Sequence, residues 1–259
     1  MNPMPTTNPQ FFDRVEKYTP NSNFKKKTAS QLQWWGWFTY YISIVVQVVA
    51  FLFSLVVLIG RSDHSSLESR ERLIYHALVL EFAVNVLQLV WYITAPQLVS
   101  QAKRSMPSPR FRYVDWFMTT PLMIISLVAT SEYVLDTGAH SLTDVFERNG
   151  RDIFNALAGN FTMLFIGLAA TYATNSLKTW LVWAGFLPLV QVWTTLCWTF
   201  AGGSSSPTVW AMYVSTIVLW TLYGVAAHFP DDNQTISYNI LDTLAKNVFS
   251  IIISVLILH

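Results

Sequence analysis

The stretch ISYNILDTLAKNVFSIIISVLIL, residues 236–258, is long and apolar enough to cross a bilayer as one helix, yet Asp242 and Lys246 stand near its middle. Spanning the hydrocarbon layer takes roughly 20 mostly apolar residues in helical form. A charge at that depth is expensive and marks either a functional group or a pair that neutralises itself. Asp242 and Lys246 are four residues apart, so on a helix they share one face and come within reach of each other. As mere neutralisation the pair is a poor stabiliser, because desolvation of two ions can exceed their Coulomb attraction. A buried lysine amine is also the group that forms Schiff bases with carbonyl compounds.

Six further stretches of the same kind precede it, at Trp34–Ile59, Leu73–Val99, Phe111–Leu135, Phe154–Thr174, Trp180–Phe200 and Val209–Phe229. The links between them are short and polar: Gly60–Arg72, Ser100–Arg110, Asp136–Ile153, Asn175–Thr179, Ala201–Thr208 and Pro230–Thr235. Such links leave seven helices to pack as neighbours in one bundle. The composition agrees, with 259 residues of which 53% are hydrophobic and only 12% charged, where soluble domains carry about 25% charged residues. Sixteen basic residues face 15 acidic ones, for a net charge of +1, too little to follow a nucleic-acid backbone. The single cysteine, Cys197, excludes an intrachain disulfide and a multi-cysteine metal site, and no metal is expected. The fold class is therefore an all-α membrane protein, a seven-helix bundle over residues 34–259 whose first partner is the lipid bilayer. Residues 1–33 form a polar tail with the basic run Lys25-Lys26-Lys27. No cleavable signal peptide opens the chain, and residues 11–18 have the pattern of a short interfacial helix or of a disordered tail.

The third stretch opens Arg112-Tyr113-Val114-Asp115-Trp116-Phe117-Met118-Thr119-Thr120-Pro121-Leu122. Helical spacing puts Arg112, Asp115 and Thr119 on one stripe, with Pro121 opening the helix ladder beside them. Ser126 follows Asp115 by about three turns, roughly 16 Å along the same stripe. On the second stretch Glu81, Asn85 and Gln88 also recur at helical spacing. They read either as polar contacts between helices or as a stripe able to wet a pore.

The third-stretch run and Asp242-Thr-Leu-Ala-Lys246 together resemble the third- and seventh-helix signatures of microbial (type 1) rhodopsins. The resemblance covers residues 34–259. It implies all-trans retinal held on Lys246 as a protonated Schiff base. It also implies Asp115 as main counterion and first proton acceptor, Asp242 as second counterion, Arg112 bridging beneath them, and Thr119 hydrogen-bonded to Asp115. Trp116, Thr120, Met163, Gly167, Trp220 and Tyr223 fall at positions that line the retinal pocket, with Asn160 near them and Tyr223 in reach of Asp242. Asp231 and Asp232 stand where a proton-release group is expected, although the residues themselves favour a solvated turn after Pro230. Family members form trimers or pentamers, so a homo-oligomer is implied.

Three positions depart from the pump pattern. Gly224 and Ala227 stand where pumps have a proline and a tryptophan, which suggests a looser pocket near the retinal ring. Ser126 occupies the inner proton-donor position, where pumps have Asp or Glu, and serine does not titrate near neutral pH. No other acid lies on that stripe; Glu132, six residues on, falls almost at the surface. Reprotonation is then expected from bulk water, at a rate falling as pH rises, with Glu81 the first alternative donor. The Asp115/Thr119/Ser126 set resembles a pump variant among giant-virus rhodopsins.

The function implied is a light-driven outward proton pump, a transporter and not an enzyme, in the plasma membrane of a host cell. A light-gated cation channel, suggested by the Glu81 stripe, and a sensory photoreceptor with an unknown transducer are the alternatives. Sodium pumps are disfavoured because they place Asn at the counterion, and chloride pumps because Asp115 is an acid. A G-protein-coupled receptor would carry a cysteine pair and an Asp-Arg-Tyr ending that this chain lacks. Orientation divides the two lines of reasoning. With the N-terminus outside, the outer loops hold more Lys and Arg than the inner ones, so the positive-inside rule favours the reverse. The resemblance implies the N-terminus outside.

Overall fold

The computed structural model describes residues 22–61, 69–99 and 108–258, with side chains over 31–61, 71–95, 108–174 and 176–258. Helix α1 spans Ser22–Gly60, α2 Ser69–Val99, α3 Arg112–Leu135, α4 Leu142–Tyr172, α5 Asn175–Phe200 and α6 Pro207–Ala226. A 3-10 turn, Pro109–Phe111, leads into α3. The last span, Asp231–Leu258, is α7 (Asp231–Asp242), a π-helical turn (Thr243–Val248) and α8 (Phe249–Leu258). All seven spans have the length and apolarity to cross a membrane. Each helix packs on the next in the chain, and α1 closes the ring against α7 and α8.

The distribution of residues is that of a bundle in lipid. The large apolar side chains point outward: Trp198 is 87% exposed and Leu187 74%. The interior collects the polar ones, including Glu81, Asn85, Gln88, Arg112, Asp115, Asp242 and Lys246, all buried. In hydrocarbon the interior is the one place where such groups find partners. The chain is an integral, multi-pass membrane protein.

Helix boundaries differ from the expected ones where capping decides them. Helix α4 begins at Leu142, not Phe154, because Ser141 caps it by accepting a hydrogen bond from the Asp144 amide at 3.2 Å. Asp144 in turn accepts from the His140 amide at 2.8 Å. The early turns are polar, so hydropathy missed them, but Ser141-Leu-Thr-Asp144 is a readable capping box. Arg148 then donates to the carbonyls of Thr137 and Gly138, both at 3.0 Å, and ties the α3–α4 turn to α4. That turn needs left-handed backbone, at Asp136 (φ 52°) and Gly138 (φ 76°). At the other end of the chain, α1 reaches back to Ser22, so part of the expected tail is helical. The last span starts at Asp231, where two acids favour a helix N-terminus. The helix read at residues 11–18 lies outside the described residues.

Candidate retinal and proton-transfer site

Lys246 and Asp242 sit on the last span and Asp115 on α3, and packing brings all three together in the bundle centre. Lys246 Nζ donates to Asp115 Oδ2 at 2.5 Å and lies 3.7 Å from Asp242 Oδ1. Lys246 is 1% exposed and Asp242 fully buried. Asp242 is the more thoroughly satisfied carboxylate. Its Oδ1 accepts from Tyr223 Oη at 2.7 Å and Trp116 Nε1 at 3.2 Å, and its Oδ2 from Arg112 Nη1 at 2.6 Å and Tyr92 Oη at 3.3 Å. Asp115 Oδ1 has no partner among the described residues. Two carboxylates and two cations thus share one buried cluster, with Asp115 the carboxylate that has room for a proton.

The π-helical turn that carries Lys246 departs from the regular i→i−4 ladder, a distortion frequent at functional sites. Arg112 completes the cluster on its Phe111 side, donating to Tyr92 at 3.0 Å and to Asn239 Oδ1. Asn239 is anchored to α1 through the Gly36 carbonyl at 3.3 Å and Thr39 Oγ1 at 3.0 Å. Tyr40 donates to the Tyr92 carbonyl. Tyr92 and Asn239 were not singled out from the sequence. A Tyr or Asn inside an apolar span reads as ordinary core until its partner is known.

Thr119 departs from expectation. Its hydroxyl donates to the Asp115 backbone carbonyl at 2.9 Å and not to the carboxylate. Mid-helix threonines make this local bond readily, and Asp115 Oδ2 is turned toward Lys246. Thr120 likewise bonds the Trp116 carbonyl at 2.8 Å while accepting from Asn160 at 2.9 Å.

A cavity of about 200 Å³ opens beside Lys246 and is lined by Trp116, Thr120, Met163, Gly167, Trp220 and Tyr223. These are the residues expected around the polyene. Gly167 is required there, since a Cβ would lie 2.5 Å from the Tyr113 hydroxyl. Trp193 of α5 meets the lining residue Trp220 edge to face at 5.2 Å. The pocket is not loosened at Gly224 as the missing proline suggested: Phe186 packs onto that glycine, so a Cβ would fall 2.5 Å from its ring. A mostly apolar cavity with a buried amine in its wall fits a polyene aldehyde. It continues to a polar rim that includes Arg110, Lys178 and Asp231. Asp231 and Asp232 are exposed in the first turn of α7, away from the Arg112 cluster.

Toward the Leu135 end of α3, Ser126 is fully buried and donates to Glu81 Oε1 of α2. The stripe on α3 holds no acid at that level, but the neighbouring helix supplies one. Glu132, expected almost at the surface, is 7% exposed, covered by Thr137 and by Asn149 at 3.1 Å.

Comparison with known proteins agrees with this geometry. The model of the bacteriorhodopsin-like protein family matches residues 36–259. Opsin-1 of Neurospora crassa is 29% identical over 53% of this chain and 46% of its own length, so the chain spans about half the length of that curated relative. Among solved structures, viral rhodopsin OLPVRII has a TM-score of 0.70 at 22% identity, over 85% of this chain and 95% of that one. Bromide-bound halorhodopsin from Halobacterium salinarum has 0.66 at 19% identity, over 88% and 95%. At these identities the structural likeness speaks for the fold alone. Members of the matched family carry a retinal chromophore and act as light-driven ion transporters or photoreceptors. With the family model covering every span of the bundle, this chain belongs to the bacteriorhodopsin-like protein family.

Proposed function

We propose that the chain holds all-trans retinal covalently on Lys246 and moves protons outward across the host plasma membrane in light, with its N-terminus outside. The observation that carries this reading is the 2.5 Å contact from Lys246 Nζ to a carboxylate whose other oxygen has no partner among the described residues. Retinal, when bound, supplies the light absorption and the change of shape that displaces the proton held at Nζ. The protein supplies the rest. An N–H bond breaks at Lys246 Nζ and an O–H bond forms on Asp115. Both ions are neutralised together, so no unpaired charge is left in the low-dielectric interior. The Arg112–Asp242 pair, with Tyr92, Tyr223 and Trp116 around it, keeps its charges and stays closed. Each 100 mV of membrane potential opposes an outward charge by about 2.3 kcal/mol, so the proton must be held on Asp115 until access to Nζ has switched. Asp231 and Asp232, at the outer rim in this orientation, are the groups proposed for release.

Glu81 is the proposed inner proton supply. Ser126 of α3 donates to its carboxyl group and fixes its orientation between the two helices. This replaces supply from bulk water alone as the favoured scheme. Recovery of the visible band after a flash is then expected to depend on pH far less steeply than supply from bulk protons, whose rate falls in proportion to proton concentration. Glu81→Gln is expected to slow recovery by about 10²-fold, the usual weight of a positioned proton donor, and to make it slow further as pH rises. External azide should restore the rate. An unslowed variant, or a wild type already steeply pH-dependent, would return the supply to bulk water.

Halide transport is opposed by Asp115, whose carboxylate occupies the place beside Nζ that an anion would need. Voltage clamp of cells in symmetric solutions checks the direction. An outward light current at zero voltage is expected, and an inward one would reverse the proposed orientation or the transport.

A further inference from the structure

Lys246 is buried at the bundle centre, so an apolar aldehyde reaches its amine only through an opening in the bundle. The cavity beside it supplies one. Among the described residues its lining falls within 113–123 of α3, 163–171 of α4, 178–189 of α5, 220–227 of α6 and 231–246 of the last span, with the 3-10 turn before α3 at its edge. The cavity therefore starts near the centre and runs to one end of the bundle, that at which α3 begins and α4 ends. Asp231 at the rim precedes Lys246 by 15 residues on one span. That separation is roughly 22 Å along a helix. Arg110 and Asp231 at this rim are exposed. Toward the other end the core is shut. Ile124, Leu127, Leu196 and Ile253 are all buried there, in one packed cluster with Trp193 and Trp220.

The walls suit the passage of a polyene. Small side chains come from three helices: Ala170 of α4, Gly185 of α5 and Ala227 after α6. Gly185 is not held small by close helix packing, since a Cβ there would meet only Ile166, at 3.8 Å, an ordinary contact. The opposite character marks the side toward the ions. Tyr238 lies edge to face with Trp116 at 5.0 Å and stacks on Tyr223 at 5.6 Å, and its hydroxyl accepts from Gln234 at 2.8 Å. Trp116 and Tyr223 also hold Asp242, so these rings stand between the cavity and the charged cluster. Of the central ions Lys246 lines the cavity, while Arg112, Asp115 and Asp242 do not.

We propose that this cavity is the route by which retinal is taken up, entering between Arg110, Lys178 and Asp231 and reaching Lys246 down the apolar shaft. At the entrance Arg110 and Lys178 offer hydrogen-bond donors to an aldehyde oxygen, which accepts but cannot donate. At the far end the ammonium of Lys246 leaves one proton on Asp115, 2.5 Å away. The amine nitrogen then bonds to the aldehyde carbon, and the aldehyde oxygen departs as water with the two remaining Nζ hydrogens. That water leaves by the same opening, and the proton on Asp115 returns to Nζ. This inference rests on the attachment at Lys246 and adds how the group arrives there.

The test starts from the full chain with retinal bound, in open membrane sheets. Light and hydroxylamine remove the retinal, all-trans retinal is added back, and the return of the visible band is timed. Thr171→Cys, among the lining residues at the rim end of α4, is combined with Cys197→Ser, so that the chain holds one cysteine, at the mouth. Ala227→Cys in the same background is the second variant. Modification of the bleached protein with a bulky hydrophilic maleimide is expected to slow the return of the band by at least about tenfold, the effect of ~1.4 kcal/mol on a barrier. The same reagent added after the band has returned should leave it in place, which separates a blocked route from a damaged pocket. Mass spectra report the extent of labelling. Labelled variants that regain the band at the unlabelled rate, or rim cysteines that the reagent fails to reach, would overturn the uptake route, as would loss of an existing band on labelling. A wild type that never forms a visible band would instead overturn the Lys246 reading itself.

Discussion

Lys246→Ala is expected to give a colourless protein that binds no retinal covalently, the largest single effect any substitution here should have. Among the described residues two lysines line the cavity: Lys246, buried in the bundle, and Lys178, at the polar rim. Removing the amine also leaves Asp115 a buried carboxylate without its cation, and breaking a buried pair on one side costs about 3–5 kcal/mol. Loss of colour in the single variant could then follow from misfolding. The double variant Lys246→Ala, Asp115→Asn removes both charges, should fold, and should still be colourless. Absorption spectra after incubation with retinal, together with size-exclusion profiles of both variants, are the measurement. A folded double variant with a normal visible band would place the attachment elsewhere.

Asp115→Asn is expected to shift the visible band to longer wavelength and to reduce proton transport by at least about 10²-fold, the lower end of what a positioned proton acceptor contributes. The shift follows from Coulomb's law. With retinal on Lys246 as proposed, the anion 2.5 Å from Nζ would hold positive charge at that end of the chromophore, and removing it would let the charge spread. Asp242 does not substitute as acceptor, since Arg112, Tyr92, Tyr223 and Trp116 already occupy its oxygens. Unchanged colour with intact pumping would show that Asp242, at 3.7 Å, is the acceptor after all.

The parts of this site that could be read from sequence are those that violate the bilayer. Arg112, Asp115, Asp242 and Lys246 stand out because charges in apolar spans are rare, and helical spacing alone grouped Arg112 with Asp115 and Asp242 with Lys246. That the two groups meet follows only from packing of α3 against the last span. The same holds for Ser126. Read along its own helix it marks a missing acid, and only the packing of α2 on α3 brings Glu81 to it. Tyr92 and Asn239 were invisible for a different reason: both residue types occur in any helix interior, and their meaning comes from the guanidinium between them. Glu81, Asn85 and Gln88 were legible as a stripe, but the serines that meet it from other helices, Ser126 and Ser250, were not legible as its partners. Boundaries failed where polar caps extend a helix past its apolar stretch, as Ser141 and Asp144 do for α4.

Outward proton transport is tested most directly by the external pH of a weakly buffered suspension of cells expressing the full chain with retinal. Illumination should acidify the medium, a protonophore should abolish the change, and Asp115→Asn cells should show none. Light-induced alkalinisation, or acidification that a protonophore leaves intact, would contradict a proton driven from Lys246 through Asp115 to the outside.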